Sequence, residues 1–406
     1  MQDHPVLAQV ALGFSPMMGP QRTVSALRLT VFPERPAAAP DAAELLRALE
    51  EVWPVPPLAP GAPKPVPLVS LNLAGEALLS DVMAAAPGPQ MMIEVPAFMA
   101  GDPAHAAALK RLHKAGTVLL IKGRPLAPLA PELLALFGHC ILEPGEDRRD
   151  IVPPSPAGRR VSAVQSGVRK AADADAAFQR GAVIVIGWPW EDVVPPVAAR
   201  TAVPSDIKAV MDLINGVERE EPVSKLEAVL RRDPTLAFRL MRYLNSPAFG
   251  LSVEVNSFGQ ALMLLGYQRL KRWLALLLVS SAQGPNCKPI MFAAVRRGLL
   301  MEELGNDAGD TEIRGELFIC GVFSLLDRLL QQPMAALLGN VPVPERVHQA
   351  LRGDGGPYGP YLDLVRAIEQ ESVFDIREQA ETLLLSPMAV NRAVLAALQA
   401  ARELDV

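Results

Sequence analysis

Proline divides this chain. Of its 39 prolines, 27 fall in residues 1–200 and 12 in residues 201–406. A proline fixes φ and removes a backbone donor, so it interrupts helices and central strands. The first half therefore has to be assembled from short elements. Apolar runs of strand length stand at 25–32, 67–73, 90–95, 116–122 and 181–188. Helical stretches are expected at Asp41 to Val52, Asp102 to Ala115 and Val161 to Gln179. Strands alternating with helices point to βαβ units around a mostly parallel sheet. The proline-rich inserts at 33–40, 54–67 and 153–156 read as surface loops.

The second half reads as helix after helix. Ile207, Val210, Met211 and Ile214 follow helical spacing behind Ser205, a candidate cap, and Asn215-Gly216 is the expected stop. Ser224 to Glu227 and Ser257 to Gln260 have the capping-box pattern. Asp233-Pro234 is an N-cap followed by proline at the first helical position. Gly266 separates one helix from the next, which carries Leu270, Trp273, Leu274, Leu277 and Leu278. The boundary is expected near 193–204, giving an α/β part over 1–195 and an all-α part over 196–406. Asp363 to Gln370 and Ser386 to Glu403 are the clearest late helices, and Gly353 to Pro357 reads as a turn between helices.

Charge and composition remove several function classes. Residues 1–200 carry 18 Lys+Arg against 19 Asp+Glu, and residues 201–406 carry 21 against 25. Neither half is basic, and no basic block lies among aromatics, so no nucleic-acid partner is expected. The uncharged run near a possible helix, Trp273 to Gln283, falls well short of the roughly 18 residues that span a bilayer, and the N-terminus shows no secretory pattern. Cys140, Cys287 and Cys320 lie far apart, which fits a reducing cytoplasm better than disulfides or a zinc cluster. There is no phosphate-cradling glycine loop, no nucleophile elbow and no His-Glu-x-x-His. The five histidines leave residues 140–347 without any. No cofactor is expected.

Residues 205–281 resemble the HDOD domain, a helical relative of the HD phosphohydrolases. The resemblance rests on Asp233-Pro234-Thr235-Leu236, Leu244-Asn245-Ser246, Phe249-Gly250, Ser257, Gln260-Ala261 and Leu264-Leu265-Gly266, about seventy residues in all. Phe318 to Leu330 looks like the family's following helix. Where an HD enzyme carries its His-Asp metal pair, Phe323 and Ser324 stand here. Phenylalanine has no donor atom, and serine is a poor substitute for a carboxylate.

Residues 1–195 resemble, more distantly, an EAL domain, the TIM-barrel phosphodiesterase of cyclic di-GMP. The order of the matches carries this: Phe14-Ser15-Pro16, Ser25-Ala26-Leu27-Arg28, Val69-Ser70-Leu71-Asn72, Met92-Ile93-Glu94-Val95, Leu120-Ile121-Lys122-Gly123, Ser166-Gly167-Val168-Arg169 and Ile186-Gly187-Trp188. The resemblance implies a degenerate TIM-barrel-like domain ahead of an HD-like helical one. It also implies a damaged site. Ser25, Ser70, Ile121, Lys122, Ser166 and Arg169 stand where the family holds metal ligands or their neighbours, and only Glu94 keeps a carboxylate. Two-metal hydrolysis needs several carboxylates, so no metal and no turnover are expected.

The resulting expectation is a non-catalytic bacterial signalling protein whose two domains bind as yet unidentified signalling proteins. Asn245, Phe249, Tyr267 and Trp273 are the candidate contact residues. Two alternatives remain at this level. Arg28, Arg124, Arg148 and Arg169 would have to cluster for the barrel to receive cyclic di-GMP; ordinary exposed arginines are the favoured reading. A residual phosphodiesterase would have to work through Glu94 alone.

Overall fold

The computed structural model describes residues 4–35, 40–54, 68–123, 125, 128–146, 161–192, 205–232, 258–282, 284, 286–306, 310–339, 341 and 343–403. Its first unit is a closed barrel of eight strands. They are β1 (Val10–Met18), β2 (Val24–Pro33), β3 (Val69–Leu73), β4 (Met91–Pro96), β5 (Val118–Lys122), β6 (Phe137–Leu142), β7 (Ser162–Val168) and β8 (Ala182–Gly187). β1 runs antiparallel to both its neighbours, β2 and β8, and every other pair is parallel. Helices α1 (Ala42–Val52), α2 (Glu76–Ala85), α3 (Pro103–Ala115) and α4 (Ala171–Gln179) lie among the strands in sequence. Asp41 and Asp102 cap α1 and α3 by accepting from the Glu44 and Ala104 amides.

The α/β expectation thus resolves into a barrel, and the proline-rich inserts do not prevent closure. One element differs in type. Val161 to Gln179 was expected to be a single helix, but Ser162–Val168 is strand β7 and only Ala171–Gln179 is helical. The run SAVQSGV buries Ala163, Val164, Ser166 and Val168 within the sheet. Gly167 has φ 67°, which breaks any helix there.

Strand alternation builds the interior in layers. Met17, Ala26, Met92, Leu120, Ile141, Val164 and Ile186 form an apolar floor. Each fully buried aliphatic side chain there contributes about 1.5–3 kcal/mol. Two residues further along the parallel strands, the same face carries Arg28, Glu94, Lys122, Glu143 and Ser166. On antiparallel β1 the matching step runs backwards, to Ser15, which pairs with Arg28. A polar layer therefore sits over the floor, toward the C-terminal ends of β2–β7.

The second unit is helical. It contains α5 (Ser205–Glu218), α6 (Val223–Arg232), α7 (Phe258–Ser280), α8 (Cys287–Leu304), α9 (Thr311–Phe323) and α10 (Glu345–Arg352). Ile207, Val210, Met211 and Ile214 are buried, as their spacing predicts. The expected stop at Gly216 is not one: α5 continues to Glu218. A Cβ at Gly216 would lie 2.4 Å from Leu226 Cδ2, the movable end of a side chain on α6, so this glycine sits inside a packed helix face. Gly266, at φ 71° and ψ 169°, does break α7 as expected. No single helix among the described residues is long and apolar enough to cross a membrane.

The chain ends with α11 (Gly359–Glu369), α12 (Val373–Thr382) and α13 (Pro387–Glu403). The compact units are discontinuous. Residues 366–395 belong with residues 1–192, and residues 193–365 and 396–406 form the other unit. A single boundary near 195 had placed everything after it in the helical part. The apolar periodicity of a helix shows that it packs, not against what.

The attachment of 366–395 to the barrel is specific. The Asn391 side chain accepts from the Leu12 amide at 3.0 Å and donates to the Leu7 and Val10 carbonyls at 2.8 and 2.6 Å. The Trp188 indole donates to the Glu369 carbonyl at 2.7 Å. That bond satisfies one of the carbonyls left open at the end of α11. Arg377 pairs with Glu34 at 2.8 Å. At Gly13 a Cβ would lie 3.0 Å from the Ile368 carbonyl and 3.1 Å from Glu371 Cα, so a larger residue would push this backbone back by a few tenths of an ångström.

Candidate functional site

The polar layer of the barrel is the candidate site, because parallel barrels carry their chemistry at the C-terminal ends of their strands. Its centre is an ion pair. Arg28 on β2 reaches Glu94 on β4 with Nε at 3.0 and 3.1 Å from the two carboxylate oxygens and Nη2 at 2.7 Å from one of them. The Glu94 side chain is fully buried. Ser70 on β3 donates to the same carboxylate at 2.9 Å. Both Glu94 oxygens are therefore engaged by groups of the chain itself.

A second set of bonds runs beside it in one direction. Lys122 at the end of β5 donates to Asn72 at 2.8 Å. Asn72 donates to Thr30 at 3.1 Å, and Thr30 donates to Glu371 at 2.7 Å. Ser15 on β1 donates to the other Glu371 oxygen. Glu371 follows α11 with φ 56°, a left-handed turn that ends the helix. On the far side Ser166 donates to Glu143 at 2.8 Å and to the Leu142 carbonyl at 3.1 Å.

Electrostatics agree with this wiring. Burial alone would lower the Arg28 pKa, but the carboxylates of Glu94, Glu371 and Glu143 outweigh it and hold the guanidinium above its ordinary value. Lys122 is pushed below its ordinary value, first by burial and then by the charge of Arg28, against the pull of the same three carboxylates. Desolvation and a like charge both disfavour the ammonium.

The expected site residues divide. Arg28, Ser70, Glu94 and Lys122 come together, and Ser166 joins through Glu143. Ser25 does not: it lies at the start of β2, exposed, and donates to the Met17 carbonyl at 3.3 Å. The inward positions of β2 are Ala26, Arg28 and Thr30, so a residue of odd number points away. Ile121 is buried on the opposite face of β5 from Lys122 for the same reason. Arg169 pairs at 3.0 Å with Glu191, and both are exposed. Arg124 and Arg148 lie outside the described residues. Asn72, Thr30 and Glu371 were missed. Asn72 and Thr30 were legible from strand parity; nothing local in the sequence marks Glu371.

In the helical unit, Phe323 and Ser324 close α9 and are buried. Ser324 donates to the Gly321 carbonyl at 2.7 Å and accepts from Arg297 at 3.0 Å. A guanidinium thus lies against Ser324, the residue that the sequence resemblance sets at an HD metal-ligand position. Trp273 is 2% exposed and belongs to the core, which removes it as a contact residue. Tyr267 is half-buried, its hydroxyl 3.4 Å from the Glu221 carbonyl. Asn245 and Phe249 lie outside the described residues, as does most of the motif that carried the HDOD resemblance.

Comparison with known proteins places this architecture. Residues 203–335 match the HDOD domain, and this part of the chain is an HDOD domain. A closed eight-stranded barrel followed by HDOD is the order that the sequence resemblance implied. The chain is 31% identical over 165 residues to YuxH, an uncharacterised protein of Bacillus subtilis, with 40% of each chain covered. It is 29% identical over 146 residues to the cyclic di-GMP phosphodiesterase CdgJ of Vibrio cholerae, covering 36% of this chain and 34% of that one. The match thus spans well under half the length of either relative. The EAL domain of Mycobacterium smegmatis DcpA aligns at a TM-score of 0.30 and 16% identity, over 44% of this chain and 90% of that one.

Proposed function

We propose that this protein acts in cyclic di-GMP signalling as a non-catalytic component, with its barrel and its HDOD domain serving as regulatory, protein-binding modules. One observation carries the reading: Glu94, the carboxylate retained from the EAL pattern, gives both oxygens to Arg28 and one also to Ser70. A buried carboxylate paired in this way is not free to hold a cation. Glu371 and Glu143 are likewise engaged by hydroxyls, and the centre of the layer already carries two cationic side chains. Among the described residues no three His, Cys, Asp or Glu side chains gather as a metal-holding group. The donor set does not fit the pair of divalent cations that EAL chemistry uses.

The HDOD half supports the same reading. Phe323 offers no donor, and Ser324 is satisfied by Arg297 and a backbone carbonyl. The receptor alternative draws less support, because Arg28 is committed to Glu94 and Arg169 to Glu191. The test is a thermal-shift titration of the full chain with Mn²⁺, Mg²⁺ and cyclic di-GMP. No saturable shift with either cation is the expected outcome. A saturable shift with Mn²⁺ that Glu94→Gln removes would overturn the proposal.

A further inference from the structure

The one-way run of donors in the barrel requires something at its end. Lys122 donates to Asn72, Asn72 to Thr30, and Thr30 to Glu371. A chain of donors that starts on an ammonium needs a final acceptor, best an anionic one. The barrel does not supply that acceptor from its own strands. It comes from residue 371, on a segment that several contacts hold against the barrel. Gly13 leaves room for the Ile368 carbonyl and Glu371 Cα. Trp188 fixes the Glu369 carbonyl, and Asn391 grips three backbone groups near the start of β1. Ser15 takes the second carboxylate oxygen.

We propose that residues 366–395 are a cis-acting plug on the β1–β2–β8 side of the barrel mouth, seated by the Glu371 carboxylate. Seated, the plug occupies the anionic end of the relay and restricts access to Lys122. Released, it leaves Thr30, Asn72 and Lys122 as a row of donors facing solvent, ready for an external oxyanion. The plug and such an anion exclude each other because both use the Thr30 hydroxyl. This is independent of whether the barrel hydrolyses anything.

The test uses the full chain with Glu371→Ala and, from the barrel side, Thr30→Val, which removes the donated hydroxyl while keeping the shape. Amide hydrogen exchange is followed by segment, together with the rate at which a small acylating reagent modifies Lys122. The seating bonds go to a charged group, so their loss should accelerate exchange over 366–386 by roughly ten- to a hundredfold in each variant. Exchange over 205–232 should stay unchanged, and Lys122 should be acylated faster in Glu371→Ala. Exchange over 366–386 equal to wild type in both variants, or acceleration spread evenly over the chain, overturns the plug. So does an unchanged Lys122 rate in Glu371→Ala.

Discussion

Replacing Arg28 with methionine should destabilise the barrel strongly without releasing any chemistry. The two side chains of the Arg28–Glu94 pair are 9% and 0% exposed, and three nitrogen–oxygen distances lie between 2.7 and 3.1 Å. Removing one member of such a pair leaves an uncompensated buried charge, which costs about 3–5 kcal/mol. In a domain of this size each kcal/mol lowers Tm by about 2–4 °C, so the barrel transition should fall by roughly 6–20 °C. Removing both charges is a different perturbation. Arg28→Met combined with Glu94→Leu replaces the pair with apolar groups of comparable bulk and should recover most of the loss. Ser70 then loses its acceptor, so recovery stops short of wild type by about 1 kcal/mol. Urea unfolding of the two single variants and the double, monitored for the barrel transition, measures the coupling. A loss below about 1 kcal/mol for Arg28→Met would refute the reasoning, because that is the size of an exposed pair.

Three further outcomes follow from the same geometry. Asn391→Leu leaves the Leu12 amide and the Leu7 and Val10 carbonyls without their partner, and urea unfolding should show a loss of about 2–4 kcal/mol. Lys122 has its pKa lowered in the folded state, so the unfolded chain binds more protons as pH rises toward 10.5. Wild type should therefore gain stability relative to Lys122→Met over that approach, read from Tm against pH; an opposite slope contradicts the assigned burial. The Cys140 thiol, pushed up to about 12 by burial and then by Glu146, should resist iodoacetamide at pH 8 in the native protein and react once it is unfolded.

Much of the fold was legible in the sequence, and the reasons differ by element. The five apolar runs found from residues 25 to 188 became β2, β3, β4, β5 and β8, because each is short and rich in aliphatic residues. β1 and β6 escaped notice: VALGFSPMM contains a proline and a glycine, and FGHCIL alternates weakly. β7 was read as helix because SAVQSGVRKAADADAAFQ runs without a break in small and polar residues across strand, turn and helix. The site was half legible. Glu94 and Lys122 stand at places the EAL resemblance marks, and Arg28 was already the one basic residue in its β2 motif. Ser25 was misplaced because a motif match ignores which face a strand residue takes, whereas the barrel interior obeys parity. Glu371 lies 277 residues after Glu94 in the chain. No spacing rule joins them; only the return of residues 366–395 to the barrel does.

Hydrolysis of cyclic di-GMP by the purified full chain, with Mn²⁺ or Mg²⁺ in excess, tests the central claim most directly. The commitment of Glu94 to Arg28 predicts no turnover above a protein-free blank with either cation. Sustained turnover that disappears in Glu94→Gln would contradict it and return the barrel to the enzymes.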